Sequence, residues 1–137
     1  MDCKSAGDPE FVSARSRESL KSDVIAVVDD DEDVRAALDG LLESLGYRSK
    51  LYDSADSFLA AKAVDDVDCI ISDIQMPGTS GLQLAEQIQG HEKPVILITA
   101  FPTHDVQQRA SAAGVRCVLI KPFDSEELID HLSAQFG

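Results

Sequence analysis

Residues 69–81 read CIISDIQMPGTSG, and the fold of the whole chain follows from how this stretch is parsed. Cys69-Ile70-Ile71 is a short apolar run that ends at Ser72 and a single carboxylate, Asp73. Met76-Pro77-Gly78 cannot prolong a strand, because Pro77 lacks a backbone donor and Gly78 admits positive φ. Asp73 is therefore placed where a buried strand stops and a loop begins. In an open α/β sheet that edge is where ligands bind. A carboxylate there is a metal ligand, a nucleophile or a helix cap, and the stretch alone does not choose among them.

The flanking sequence repeats the same punctuation. Upstream, Val24–Val28 is a continuous apolar run of the kind covered on both faces, and it stops at Asp29-Asp30-Asp31-Glu32-Asp33. Val34, Leu38, Leu41, Leu42 and Leu45 then recur at helical spacing, with Gly46 as a stop. Acids at a helix start suit the macrodipole, which accounts for Asp31, Glu32 and Asp33 better than for Asp29 and Asp30 at the strand end. Tyr47–Tyr52 is a shorter strand whose Arg48, Ser49 and Lys50 mark an edge position. Asp53 or Ser54 caps a short helix through Phe58, Leu59 and Ala63, and residues 64–68 turn into the Cys69 strand. The acids of that turn lie at the end of the strand away from Asp73.

Downstream, Leu82, Ala85 and Ile88 give one face of a helix ending at Gly90, and Val95–Ile98 is an apolar strand ending at Thr99-Ala100. Val106, Ala110 and Ala113 describe a helix stopped by Gly114, with so small an apolar face that it should be the least firmly held. Val115–Ile120 is the last strand and ends at Lys121-Pro122-Phe123. A final helix runs from Asp124 or Ser125 to Gln135.

Composition narrows the class. The chain has 137 residues, 44% of them hydrophobic, which suits one domain with a substantial core. A net charge of −13 argues against direct nucleic-acid binding, which needs a positive surface. Neither a spanning apolar run nor a signal peptide is evident, so a cytoplasmic protein off the membrane is expected. Residues 1–22 balance Asp2, Asp8, Glu10 and Glu18 against Lys4, Arg15, Arg17 and Lys21, with no helical or strand period. They are expected to be a disordered lead-in, vector-derived at MDCKSAGDPEF, before a domain at 23–137. Cys3, Cys69 and Cys117 form neither a disulfide framework nor a metal spacing.

Five strands alternating with five helices imply a parallel sheet covered by helices on both faces. Every strand then ends on one edge, which gathers Asp29 and Asp30, Asp73, Thr99 and Lys121. Carboxylates converging at one point repel and take up protons unless a cation is present. An all-oxygen donor set selects a hard divalent ion, for which Mg²⁺ is the expectation. The Thr99 hydroxyl and the Lys121 ammonium suit phosphoryl oxygens. The set fits a carboxylate that accepts a phosphoryl group, with Asp73 as the nucleophile.

With VVDDDEDVRAAL after the first strand, SDIQMPGTSGLQL around Asp73, LITA ending at Thr99-Ala100, and IKPF at Lys121–Phe123, residues 23–136 resemble the receiver domain of two-component response regulators. The MPGTSG loop is most similar to the FixJ-type subgroup, whose members usually carry a DNA-binding helix-turn-helix domain after the receiver. The resemblance implies a CheY-like, flavodoxin-like doubly wound (βα)5 sandwich with strand order 2-1-3-4-5. It implies phosphorylation of Asp73 by a histidine kinase or phosphotransfer protein. It also implies Mg²⁺ held directly by Asp30, Asp73 and the Gln75 backbone carbonyl, with Asp29 acting mostly through water. Thr99 and Lys121 would contact the phosphoryl group, and the Lys121–Pro122 peptide would be cis. Output would pass through the face of the fourth helix, fifth strand and fifth helix, with phosphorylation-dependent homodimerisation as one outcome. The receiver would control a transcriptional effector domain or partner, or act as a stand-alone shuttle or interaction module, with no enzymatic activity beyond its own phosphorylation and slow dephosphorylation.

One position departs from the family. Three residues before Lys121, where an aromatic is usual, stands Val118, which has no ring to swing inward with Thr99. Phe101 is the substitute candidate for carrying that coupling. Gln75 and Phe101 occupy the two positions that tune acyl phosphate lifetime in the family, and an intermediate lifetime is expected unless both are ordinary loop residues. Two other classes fit less well. A phosphatase of the haloacid-dehalogenase type needs a second Asp two residues after the nucleophile, where Gln75 stands, and room for a cap domain. A flavodoxin relative needs a Gly/Ser/Thr-rich phosphate loop after the first strand, where three aspartates would repel phosphate.

Overall fold

Apolar runs become strands and amphipathic runs become helices in strict alternation across residues 23–136, the part of the chain that the structure, a computed structural model, describes. The lead-in expected over residues 1–22 lies outside the described residues, as does Gly137. The elements are β1 (Val24–Val28), α1 (Glu32–Ser44), β2 (Arg48–Tyr52), α2 (Ala55–Ala60), β3 (Cys69–Asp73), α3 (Gly81–Gln87), β4 (Val95–Thr99), α4 (His104–Ala112), β5 (Cys117–Ile120) and α5 (Ser125–Phe136). Short 3-10 turns at Val64–Asp66 and Gln89–His91 complete them.

The strands form one parallel sheet in the order β2-β1-β3-β4-β5, the doubly wound flavodoxin-like arrangement. The polar β2 takes an edge, as its composition requires. Two cores sandwich the sheet because successive side chains alternate faces. Val24, Ala26, Val28, Ile70 and Leu97 face Phe58, Leu82, Leu84 and Ala110 on the α2–α3–α4 side. Ile25, Val27, Ile71, Ile96 and Ile98 face Leu38, Leu42, Leu128 and Leu132 on the α1 and α5 side. Cys69 is a free, buried thiol within this second core, and Cys117 is a free, half-buried one beside it.

Several boundaries differ from the sequence expectation for identifiable reasons. α2 stops at Ala60 rather than running through Ala63, because Lys62 takes a left-handed φ of +53°. β2 begins at Arg48 and not Tyr47, whose N–H instead closes α1 on the Leu42 carbonyl at 3.0 Å. β5 begins at Cys117 and not Val115, whose N–H goes back to the Ala110 carbonyl at the end of α4. The helix after the Asp73 loop gives way after Gln87 to a 3-10 turn, so α3 itself does not reach Gly90.

The helix starts are capped by their own sequences. Asp31 accepts from the N–H groups of Asp33 and Val34, Ser54 from Ser57, and Thr103 from Val106. Ser80 and Gln83 form a reciprocal capping box at the head of α3. That box fixes where α3 leaves the Asp73 loop.

Candidate functional site

Strands β1, β3, β4 and β5 end at the same edge of the sheet, and the structure brings the expected residues together there. Asp29, Asp73 and Thr99 are 1%, 4% and 0% exposed, while Asp30 is exposed at the rim. One carboxylate oxygen from each of Asp29, Asp30 and Asp73 lies within 4.8 Å of the other two. Lys121 places Nζ 3.4 Å from Asp73 Oδ1, a long ion pair. The Lys121–Pro122 peptide is cis. Thr99 Oγ1 donates to Gln75 Oε1 at 3.0 Å and accepts from the Phe101 N–H at 3.0 Å.

The backbone holds these groups in register. β3 and β4 pair with Asp73 opposite Ile98, and the ladder continues one step further through Ile74 N–H to the Ile98 carbonyl at 2.9 Å. Gly81 packs directly on that turn: a Cβ there would lie 3.0 Å from the Asp73 carbonyl carbon and from Ile74 Cα, and still nearer the Asp73 carbonyl oxygen. Gly78 has φ +77°, which serves the turn away from the sheet.

Three residues that sequence reasoning did not single out also shape the site. Asp56, on α2, accepts from Thr79 Oγ1 at 2.7 Å and so ties the loop after Asp73 to a distant helix. No local pattern signals a contact between residues so far apart in the chain. Arg35 donates from Nη1 to the Asp29 carbonyl at 2.7 Å, bracing the acidic loop from the first turn of α1. Ser80 had a readable signal, the Ser-x-x-Gln spacing.

Burial is the dominant electrostatic influence. It raises the carboxyl of Asp29, opposed by the Asp31 N–H that Oδ1 accepts at 2.9 Å. It likewise raises the carboxyl of Asp73, opposed by the neighbouring Lys121. Asp29 Oδ2 and Asp73 Oδ1 are buried with no hydrogen-bond partner among the described residues. Two orphaned buried carboxylate oxygens within an all-oxygen cluster fit a hard divalent cation, which would take the place of the missing donors. A separate concavity of about 430 Å³ lies at the other edge of the sheet among Ile88, Lys93 and Arg116, remote from these strand ends.

Apolar side chains flank the cluster. Val34, Ala37, Leu38 and Leu41 of α1 line a groove with Phe123, and Val34 and Phe123 continue it to Ala100 and Pro122 beside Lys121. Phe101, 66% exposed, and Ile120, 48% exposed, stand free on the α4 and β5 side. Val118 is half-buried against the core under α4. No helix among the described residues is long and apolar enough to cross a membrane.

Comparison with known proteins gives a consistent placement. Residues 25–133 match the family described as the response regulator receiver domain. Transcriptional regulatory protein FixJ of Azorhizobium caulinodans is 36% identical over 115 residues, covering 82% of this chain and 54% of FixJ. The DNA-binding transcriptional regulator NtrC of Salmonella typhimurium is 37% identical over 112 residues, covering 80% of this chain and 24% of NtrC. The crystal structure of chemotaxis protein CheY4 of Vibrio cholerae superposes with a TM-score of 0.76 at 26% identity, covering 84% of this chain and 99% of that one. The chain thus spans about half the length, or less, of these curated regulators. A strand order of 2-1-3-4-5, an acidic cluster at its carboxyl edge and a family match across most of the described residues agree, and the chain belongs to the response regulator receiver domains, with FixJ among its near relatives.

Proposed function

We propose that this receiver accepts a phosphoryl group on Asp73 from a histidine kinase or phosphotransfer protein and reports it through the α4–β5–α5 face. The observation that carries the proposal is the buried Asp73 carboxylate, whose Oδ1 lacks a hydrogen-bond partner and faces Lys121 and one of whose oxygens lies within reach of two further carboxylates. Asp29, Asp30, Asp73 and the Gln75 backbone carbonyl would hold Mg²⁺, which, when bound, supplies charge neutralisation between the carboxylates and the phosphoryl oxygens. An Asp73 oxygen attacks phosphorus, the new O–P bond forms as the P–N bond to the donor imidazole breaks, and the imidazole nitrogen leaves with the electron pair. Lys121 offsets charge on the phosphoryl oxygens, and the Thr99 hydroxyl donates to one of them. Gln75 is a carboxamide, whose N–H protons are too weakly acidic to be transferred to a leaving group, which favours acceptance over a haloacid-dehalogenase type of turnover.

The groove from α1 to Phe123 reaches Lys121, the ion-pair partner of Asp73, and offers a helical donor protein an apolar seat. α4 has Ala110 as its one buried residue, so its position can respond to the site. Control of a transcriptional effector follows the FixJ and NtrC likeness, and the lightly anchored α4 supports phosphorylation-dependent homodimerisation through the α4–β5–α5 face. Such a protein works in the cytoplasm, away from the membrane, and this domain itself touches no nucleic acid.

The test is incubation with acetyl phosphate and Mg²⁺, read by intact mass. Wild type should gain one phosphoryl group, and Asp73→Asn should gain none. An unlabelled wild type, or equal labelling of both, would overturn the proposal.

A further inference from the structure

We propose that the Gln75 carboxamide is a latch on Thr99, occupying the one hydroxyl proton that a phosphoryl group on Asp73 needs. The inference rests on the phosphoacceptor reading of Asp73 given above. A threonine hydroxyl has a single proton and two lone pairs. In this structure the proton goes to Gln75 Oε1 at 3.0 Å, and one lone pair receives the Phe101 N–H at 3.0 Å. Phosphoryl oxygens are acceptors, so Thr99 can serve them only by releasing Gln75. The two hydrogen bonds exclude each other.

The geometry makes the release practicable. Thr99 is fully buried at the end of β4, so its hydroxyl has few alternative partners, whereas Gln75 is exposed on the loop and can swing into water without leaving a cavity. Gln75 is also anchored. Ile74, just before it, still pairs with Ile98, and Thr79, four residues on, is held by Asp56. The carboxamide therefore moves on a fixed base. Phe101 feels the change directly, because its N–H bonds the hydroxyl that must turn, and its ring is 66% exposed on the adjoining surface. Gln75 is in this sense a positioning residue: it acts through Thr99, and it sets how strongly the unphosphorylated arrangement resists switching.

A net hydrogen bond of this kind shifts an equilibrium by roughly 2- to 12-fold. The experiment titrates Mg²⁺-loaded protein with beryllofluoride, a phosphoryl analogue, and follows backbone amides by NMR in wild type, Gln75→Leu, Thr99→Val and the double variant. Gln75→Leu should bind beryllofluoride about 2- to 12-fold more tightly than wild type. In the Thr99→Val background the same substitution should have no effect, since the latched proton is gone. In metal-free protein, Gln75→Leu should release the Thr99 side chain from one rotamer to an average of several, seen in its γ-methyl couplings. Equal affinities for wild type and Gln75→Leu would overturn the latch while leaving the acceptor reading standing. Weaker binding by Gln75→Leu would also overturn it, because that sign belongs to an amide that donates to Thr99. Failure of wild type itself to bind beryllofluoride would overturn the acceptor reading, and the latch with it.

Discussion

Replacing Gly81 by alanine adds one methyl group where the chain leaves the Asp73 loop, and its effect can be worked from the coordinates. The new Cβ would lie 3.0 Å from both the Asp73 carbonyl carbon and Ile74 Cα, where ordinary contact begins at 3.4 Å, and closer still to the Asp73 oxygen. All three neighbours are backbone, so no side chain can turn aside. The strand end and the head of α3 must separate by at least about 0.4 Å, and by more to clear the oxygen. Overpacking of this kind costs about 1–3 kcal/mol, and the gain from alanine over glycine in a helix offsets at most about 1 kcal/mol. Urea unfolding should thus show a net loss of up to about 3 kcal/mol at unchanged m. The larger effect should fall on chemistry, because misplacing a reacting group by about 1 Å can cost on the order of 100-fold in rate. Labelling of Gly81→Ala by acetyl phosphate should slow by about 10- to 100-fold while the protein stays folded. Wild-type stability together with a wild-type labelling rate would refute the claim that Gly81 positions Asp73.

Other expectations concern charge, caps and coupling. Burial holds the carboxyls of Asp29 and Asp73 above their ordinary value, so the native state binds these protons more tightly than the unfolded chain does. Their contribution is whole below the ordinary aspartate value of about 3.9 and is lost as pH climbs through the raised native values. Metal-free wild type should therefore lose stability relative to Asp73→Asn as pH rises above the ordinary aspartate value, and added Mg²⁺ should reverse the loss, as thermal melts across pH will show. Ser80→Ala removes half of the capping box and should cost about 1 kcal/mol in urea unfolding. Val118→Tyr restores an aromatic beside α4 and should change the phosphorylation-dependent dimer fraction more than the labelling rate, with equal changes in both counting against it. Arg109 meets Glu86 at 3.1 and 3.3 Å, with both side chains about two-fifths exposed. Added salt should therefore lower hydrogen-exchange protection of α4 in wild type but not in Arg109→Met.

The strand ends were legible because each apolar run stops at a polar residue, and parallel topology alone gathers Asp29, Asp73, Thr99 and Lys121 on one edge. Nothing longer-range than that topology was needed. Helix and strand limits were less legible, because Lys62 and Val115 carry no sign of the left-handed turn or the back-directed N–H that displace them. The side-chain contacts around the site were not legible at all. Thr99 with Gln75, and Asp56 with Thr79, are single side-chain meetings between segments more than twenty residues apart, and no periodicity encodes them.

The manner in which α4 is fastened has a consequence of its own. Within α4 only Ala110 is buried, with Val106 half-buried against the core, and among the described residues its polar ties to the preceding unit are the Glu86–Arg109 ion pair and, from the 3-10 turn after α3, the Gln89 amide on the Ala112 carbonyl at 3.0 Å. Apolar contacts hold about equally in dilute and concentrated electrolyte, while an exposed ion pair does not. The helix is thus tethered by something the surrounding solution can loosen. Rising ionic strength should therefore loosen α4 by the worth of that one pair, and the Arg109→Met comparison measures how much that is.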